Sequence, residues 1–241
     1  MSPEPFSLLI SCEHGGNQVP GEYRQLFAGH QALLQTHRGY DIGILPLARR
    51  LAEGLGAPLA AAEVTRLLVD LNRSRHSPTL FSFITKPLAE TEREKLLERY
   101  YHPYRRRVER LAGELAGAGG CLHLSIHSFT PELHGRLRNA DLGLLYDPRR
   151  PLEREFCLAW QQQLAELAGG WRVRRNYPYR GASDALVTHL RRNLPPDRYL
   201  GIELEVNQRI PVLDGPLWEQ LQEGLLHTLV GVLEVRKRRV S

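Results

Sequence analysis

Short apolar runs alternate along the chain with longer stretches in which apolar residues recur at helical spacing, the pattern of an α/β domain built on a central sheet. The runs predict strands over residues 6–12, 59–63, 67–71, 122–126, 142–146, 171–174 and 200–206. From Leu152, the residues Phe156, Trp160, Leu164 and Leu167 fall three and four apart, so one face of that segment is core, and Gly169 and Gly170 stop it. Leu217, Leu221, Leu225, Val232 and Val235 give the last helix the same stripe, entered through Asp214, Gly215 and Pro216. Residues 91–115 also read as helical, with Pro103 expected to kink or split them. A further helix starts near Ile44, and residues 111–120 read as a helix end followed by a glycine turn.

Length and composition narrow this to one domain over residues 1–241, since 241 residues with 42% hydrophobic content bury one substantial core. No internal repeat is visible. No run of 18 apolar residues occurs, and the opening MSPEPFSLLI lacks a charged leader and a cleavage site, so a soluble, unprocessed, cytoplasmic protein with no membrane partner is expected. Cys12, Cys121 and Cys157 are too scattered for a disulfide framework or a CxxC metal site and read as buried thiols.

The net charge of +5 gathers in arginine clusters at residues 105–107, 172–175, 191–192 and 236–239. Interleaved acidic residues, and the lack of an RNP, zinc-finger or P-loop pattern, argue against a nucleic-acid partner. Solvated helix faces or an attraction for anionic metabolites explain the charge as well.

Three strand ends carry the chemistry. Glu13-His14-Gly15-Gly16-Asn17 follows the first strand, and His127-Ser128-Phe129-Thr130-Pro131 ends the run at residues 122–126. Ligands of open α/β sheets bind outside the carboxyl ends of strands, and two histidines at two such ends suit zinc. On the last strand Glu203 and Glu205 share one face, either as proton acceptors beside a metal or as solvated residues of an exposed edge. Asp41, ahead of the helix near Ile44, is a helix cap or a carboxylate ligand. Arg66, Asp70 and Asn72 fall on one face of the strand expected at 67–71, facing a pocket or closing an Arg66–Asp70 ion pair, and Arg73 follows them. Asn176-Tyr177-Pro178-Tyr179-Arg180-Gly181 is a polar loop whose arginine suits a carboxylate.

In this order the runs SCEHGGNQVP, HRGYDIG, TRLLVDLNR, HSFTP, Arg138 with its LGLLYD strand, NYPYRG and GIELEVN resemble the N-formylglutamate amidohydrolase family, from about residue 7 to residue 210. The resemblance implies a phosphorylase/hydrolase-like fold related to the zinc carboxypeptidases, a three-layer α/β sandwich with a central mixed sheet. It implies Zn2+ held by His14, Asp41 and His127, with Glu13 as the alternative carboxylate, because Asn17 stands where the carboxypeptidase pattern has glutamate. Glu205 then takes the place of the catalytic carboxylate. Arg138 or Arg73 faces the oxyanion, Arg180 and a second arginine hold substrate carboxylates, and Asn72 and Ser128 join the substrate site. The implied reaction is hydrolysis of a small acidic N-acyl amino acid, N-formyl-L-glutamate, to formate and L-glutamate. Two competing readings are a deacylase or carboxypeptidase-like hydrolase of another N-acyl amino acid, and a non-catalytic anion or nucleic-acid binder. The oligomeric state is not written in these motifs.

Overall fold

The computed structural model describes residues 6–213 and 215–240, with side chains as far as residue 234. Its central sheet has strands β1 (Ser7–Cys12), β2 (Leu59–Ala61), β3 (Cys121–Phe129), β6 (Leu142–Leu145), β7 (Val173–Arg175) and β8 (Tyr199–Asn207) in the order β2-β1-β3-β8-β6-β7. All neighbours are parallel except β6 and β8, which run antiparallel and make the sheet mixed. A two-stranded hairpin, β4 (Glu132–Leu133) and β5 (Arg136–Leu137), stands apart.

Helices cover both faces, as the three-layer expectation required. On one side α2 (Ile44–Gly54), α5 (Pro151–Glu166) and α8 (Pro216–Val240) pack on Ile10, Leu122, Leu124, Ile126, Ile202 and Leu204. On the other, α4 (His102–Ala118) and α6 (Leu186–Asn193) pack on Leu9, Cys121 and Tyr199. The period of two in β3 decides which side carries chemistry. Leu122, Leu124 and Ile126 enter the first core, so His123, Ser125 and His127 face the second side, where burial demands partners. His123 finds them in Ser11 (2.7 Å) and Tyr199 (2.8 Å). All three cysteines are buried thiols. Among the described residues no helix is long and apolar enough to cross a membrane.

Several expectations need correction. Residues 67–71 form turns rather than a strand: Thr65 donates its hydroxyl to the Gly39 carbonyl and accepts from the Leu67 N–H, a side-chain turn that replaces a ladder. Leu67 and Leu68 enter a third core with Tyr23 and Phe27, whereas Val69 and Leu71 enter the α4 core, so the segment reads as a continuous apolar run in the sequence although it serves two cores. The break expected near Pro103 is present as a π-turn: α3 (Glu90–Leu96) passes through Leu97–Tyr101 into α4, and Pro103 sits in the first turn of α4. β8 is no edge strand: it lies between β3 and β6 with all nine residues buried. In α8 the buried stripe is Trp218, Leu221, Leu225, Leu229 and Val232, while Leu217 is exposed; Asp214 and the Val235 side chain lie outside the described residues.

Candidate metal centre

The site gathers at the carboxyl ends of β1, β3 and β8. β1 delivers Glu13 and His14 just past its last residue, and β3 carries Ser125 and His127 on one face. The β3–β8 register sets Ser125 beside Glu203 and His127 beside Glu205. Asp41 is drawn in by its own N–H, which donates to the His14 carbonyl at 2.9 Å. It does not cap α2, because the cap position is Gly43 in the left-handed region (φ 79°). A Cβ at Gly43 would also stand 2.2 Å from that of Pro211, so glycine permits this turn.

One ligand atom from each of His14, Asp41 and His127 lies within 4.8 Å of the others, and all three residues are buried. Asp41 Oδ2 is 2.9 Å from His127 Nδ1 and 3.5 Å from His14 Nδ1. The far ring nitrogens are already spoken for. His14 Nε2 donates to Asp70 Oδ1 at 2.8 Å, and His127 Nε2 lies 2.9 Å from Ser125 Oγ and 3.2 Å from Glu13 Oε2. Arg66 bridges Asp70 Oδ2 (2.7 Å) and Asp41 Oδ1 (3.2 Å), and Tyr104 donates to Glu13 Oε1 at 3.0 Å.

This arrangement fits a divalent cation. With Nε2 donating to Asp70, His14 Nδ1 carries a lone pair, and that buried atom has no hydrogen-bond partner among the described residues. Two imidazole nitrogens and a carboxylate oxygen thus converge where positive charge is needed, and buried carboxylates fix the far side of each ring as in histidine metal sites. Without metal a proton meets that need. Burial opposes charge on His127, yet its bonds to Asp41 and Glu13 hold its imidazole well above the usual histidine range. Burial likewise opposes ionised Asp41, but His14, His127 and Arg66 hold it far below the usual carboxylate range.

Glu205 lies on β8 with the opposite electrostatics. Burial, then the nearby carboxylates of Asp41 and Glu203, push it up to about 8 against the pull of His127, and its Oε2 is buried without a partner among the described residues. A cation held by the cluster would draw that value back down.

The remaining candidates divide. Glu13 sits on the Nε2 side of His127, away from the nitrogen facing Asp41, so it orients a ring and is not in the cluster. Asn72 is buried with its polar atoms spent: Oδ1 accepts from Leu186 N at 2.7 Å, and Nδ2 donates to Glu203 at 3.3 Å. The Ser128 hydroxyl donates to the Ile42 carbonyl and accepts from Gln208, while its N–H reaches Asp41 Oδ2 at 3.3 Å. Both residues brace the site through these bonds. Arg73 donates to the Asp184 carbonyl from Nη1 alone. Arg138 lies over the Tyr179 ring and bonds its hydroxyl at 3.1 Å, and Arg180 is exposed without an ion pair among the described residues. The bracing by Asp70, Ser125 and Tyr104 was not assigned from sequence; only the spacing of Ser125 two residues before His127 signals it.

Close backbone approach brings the 176–181 loop over the sheet. A Cβ on Gly143 would lie 2.0 Å from the Tyr177 carbonyl oxygen and 3.2 Å from Glu205 Cβ, and one on Gly181 would lie 2.1 Å from Tyr146 N. Gly143→Ala is therefore expected to displace the loop and lower stability by roughly 1–3 kcal/mol, the usual cost of overpacking. Urea denaturation checks this, and an unchanged midpoint would show that the backbone yields freely.

The sequence model of the family described as N-formylglutamate amidohydrolase matches residues 6–210. No curated protein matches the chain. Among solved structures, a gene product of Agrobacterium tumefaciens is 28% identical with a TM-score of 0.77, over 95% of this chain and 92% of that one. The N-formylglutamate amidohydrolase of Ralstonia eutropha JMP134 is 19% identical with a TM-score of 0.72, over 99% of both chains, a likeness of fold.

Proposed function

The chain belongs to the N-formylglutamate amidohydrolase family, and from that premise we propose that it hydrolyses N-formyl-L-glutamate to formate and L-glutamate with a divalent metal, zinc by the donor set, held by His14, Asp41 and His127. The observation that carries this reading is the convergence of two imidazole nitrogens and a carboxylate within 4.8 Å, on the strand-end rim that also holds buried Glu205. A zinc ion bound there supplies Lewis-acid chemistry, polarising a carbonyl and making water acidic near neutral pH.

The chain's own residues do the rest. Glu205 takes a proton from the attacking water, whose oxygen bonds to the formyl carbon. As the C–N bond breaks, Glu205 returns that proton to the leaving amine. With a cation in the cluster drawing its raised proton affinity back down, Glu205 is ionised to accept the proton and close enough to the site to return it. Arg138 faces the developing oxyanion, steadied by Tyr179. Arg180 and Arg73 hold the substrate carboxylates, Arg73 retaining donors beyond the one given to Asp184. The substrate is thus a small acidic molecule, and the site works in the cytoplasm.

Release of formate from formylglutamate by the zinc-loaded protein tests the reaction. Formylglutamine should be a much poorer substrate, because its neutral amide leaves an arginine without its anion. Equal use of both would move the assignment to a broader deacylase. Arg180→Lys keeps the charge but loses the planar fork, so KM for formylglutamate is expected to rise about tenfold with a smaller change in kcat. Unaltered KM would remove Arg180 from the substrate site.

A further inference from the structure

The loop between β7 and α6 carries Tyr179 and Arg180 outward, and its inner edge is tied at successive points. Asn176 Oδ1 accepts from the N–H groups of Tyr146 (3.1 Å) and Gly181 (3.0 Å). Thr188 donates its hydroxyl to the Ser183 carbonyl at 2.7 Å, and Ser74 N donates to Asp184 Oδ2 at 3.1 Å. Behind the loop lies Arg191, an arginine that the sequence showed only as part of a basic cluster. It is buried, and its guanidinium is divided among three elements. Nε pairs with fully buried Glu153 at 3.0 Å, Nη1 donates to the Gly181 carbonyl and to Thr188 Oγ1, and Nη2 donates to the Gly201 carbonyl of β8. Glu153 also accepts from Gly201 N at 3.1 Å, and Arg150 donates to the Arg191 carbonyl.

We infer that Arg191 is a positioning residue for substrate recognition, fixing the Tyr179–Arg180 loop against the strand that carries Glu205. A buried ion pair seldom repays its own desolvation, so neutralising Glu153 does not by itself account for a fork shared between a loop and a strand. The fork joins the carbonyl of the residue next to Arg180 with that of a residue four places before Glu205 on β8. Exposed recognition side chains on a backbone tied from within are pre-organised, which spares the ordering cost when a ligand binds. This inference rests on the proposed role of Arg180, but the tethering itself is measurable without substrate.

Two variants test it. Arg191→Lys keeps a cation beside Glu153 but cannot bond both carbonyls, and Thr188→Val removes both the tie to Ser183 and the hydroxyl that accepts from Arg191 Nη1, at a half-buried position where misfolding is less of a risk. Hydrogen exchange of the amides in residues 176–185 should accelerate about tenfold in each variant, the loss expected for one hydrogen bond, with β3 amides unchanged. KM for formylglutamate should rise about tenfold in Arg191→Lys, with kcat changing less. If Arg191→Lys does not fold, Thr188→Val decides alone. Unchanged exchange in the folded variants, or a fall in kcat at constant KM, would overturn the positioning role. A wild type inert toward formylglutamate would instead sink the proposed reaction and leave the exchange result to judge the tether.

Discussion

Glu205→Gln is expected to bind zinc as the wild type does and to lose about 10²- to 10⁴-fold in kcat, the usual worth of a positioned general base. The amide occupies nearly the same volume beside Gly143, but it cannot accept and return a proton. The environment makes this substitution informative. Glu205 is buried with an unpartnered oxygen, so glutamine breaks no hydrogen bond to a described residue, and the fold should tolerate it. Rate and metal content measured on the same sample separate the outcomes. Retained turnover would transfer the base role to another carboxylate, with Glu203 on the same face of β8 the next to test.

Asp41→Asn should act on the metal first. Its carboxylate faces both histidines on one oxygen and Arg66 on the other, so the substitution removes the anion about which the cluster is assembled. Loss of a mere outer-shell partner typically costs 10- to 100-fold in metal affinity, so loss of this charge should cost at least about 100-fold. Competition titration against a chelator reads that affinity directly. The metal-free protein offers an independent check. With Asp41 neutralised, the His127 imidazole loses one of the two carboxylates that raise it, and its pKa followed by NMR should fall. Wild-type zinc affinity in this variant would exclude Asp41 as a ligand and return the question to Glu13.

The sequence made the sheet and much of the site legible, for reasons that can be named. β1, β3 and β8 are parallel strands buried on both faces, so they read as apolar runs, and polar residues within or just after them stood out. His14, Asp41 and His127 were visible as strand-end or helix-entry residues, but nothing in their spacing, 27 and 86 residues apart by number, said that they meet. The ordering of motifs suggested it, and the register of β1 on β3 supplies the geometry. Residues 67–71 misled because a short apolar run that turns from one core into another looks like a buried strand. Asn72 and Ser128 stood out in the sequence as polar residues beside the site, but their bonds to Leu186, Glu203, Ile42 and Gln208 were not legible there. Which polar group is spent inside the protein depends on partners 80 or more residues away, and no local pattern records that. Arg191 shows the same limit, since three elements distant in sequence share its guanidinium.

The central claim is that a metal held at the His14–Asp41–His127 cluster is required for hydrolysis of formylglutamate. The most direct measurement is formate release by chelator-stripped protein as zinc is added back in known amounts. Activity should be negligible at the start, rise linearly, and reach its plateau at one zinc per chain. Full activity in the stripped protein, with no response to zinc or another divalent ion, would contradict it.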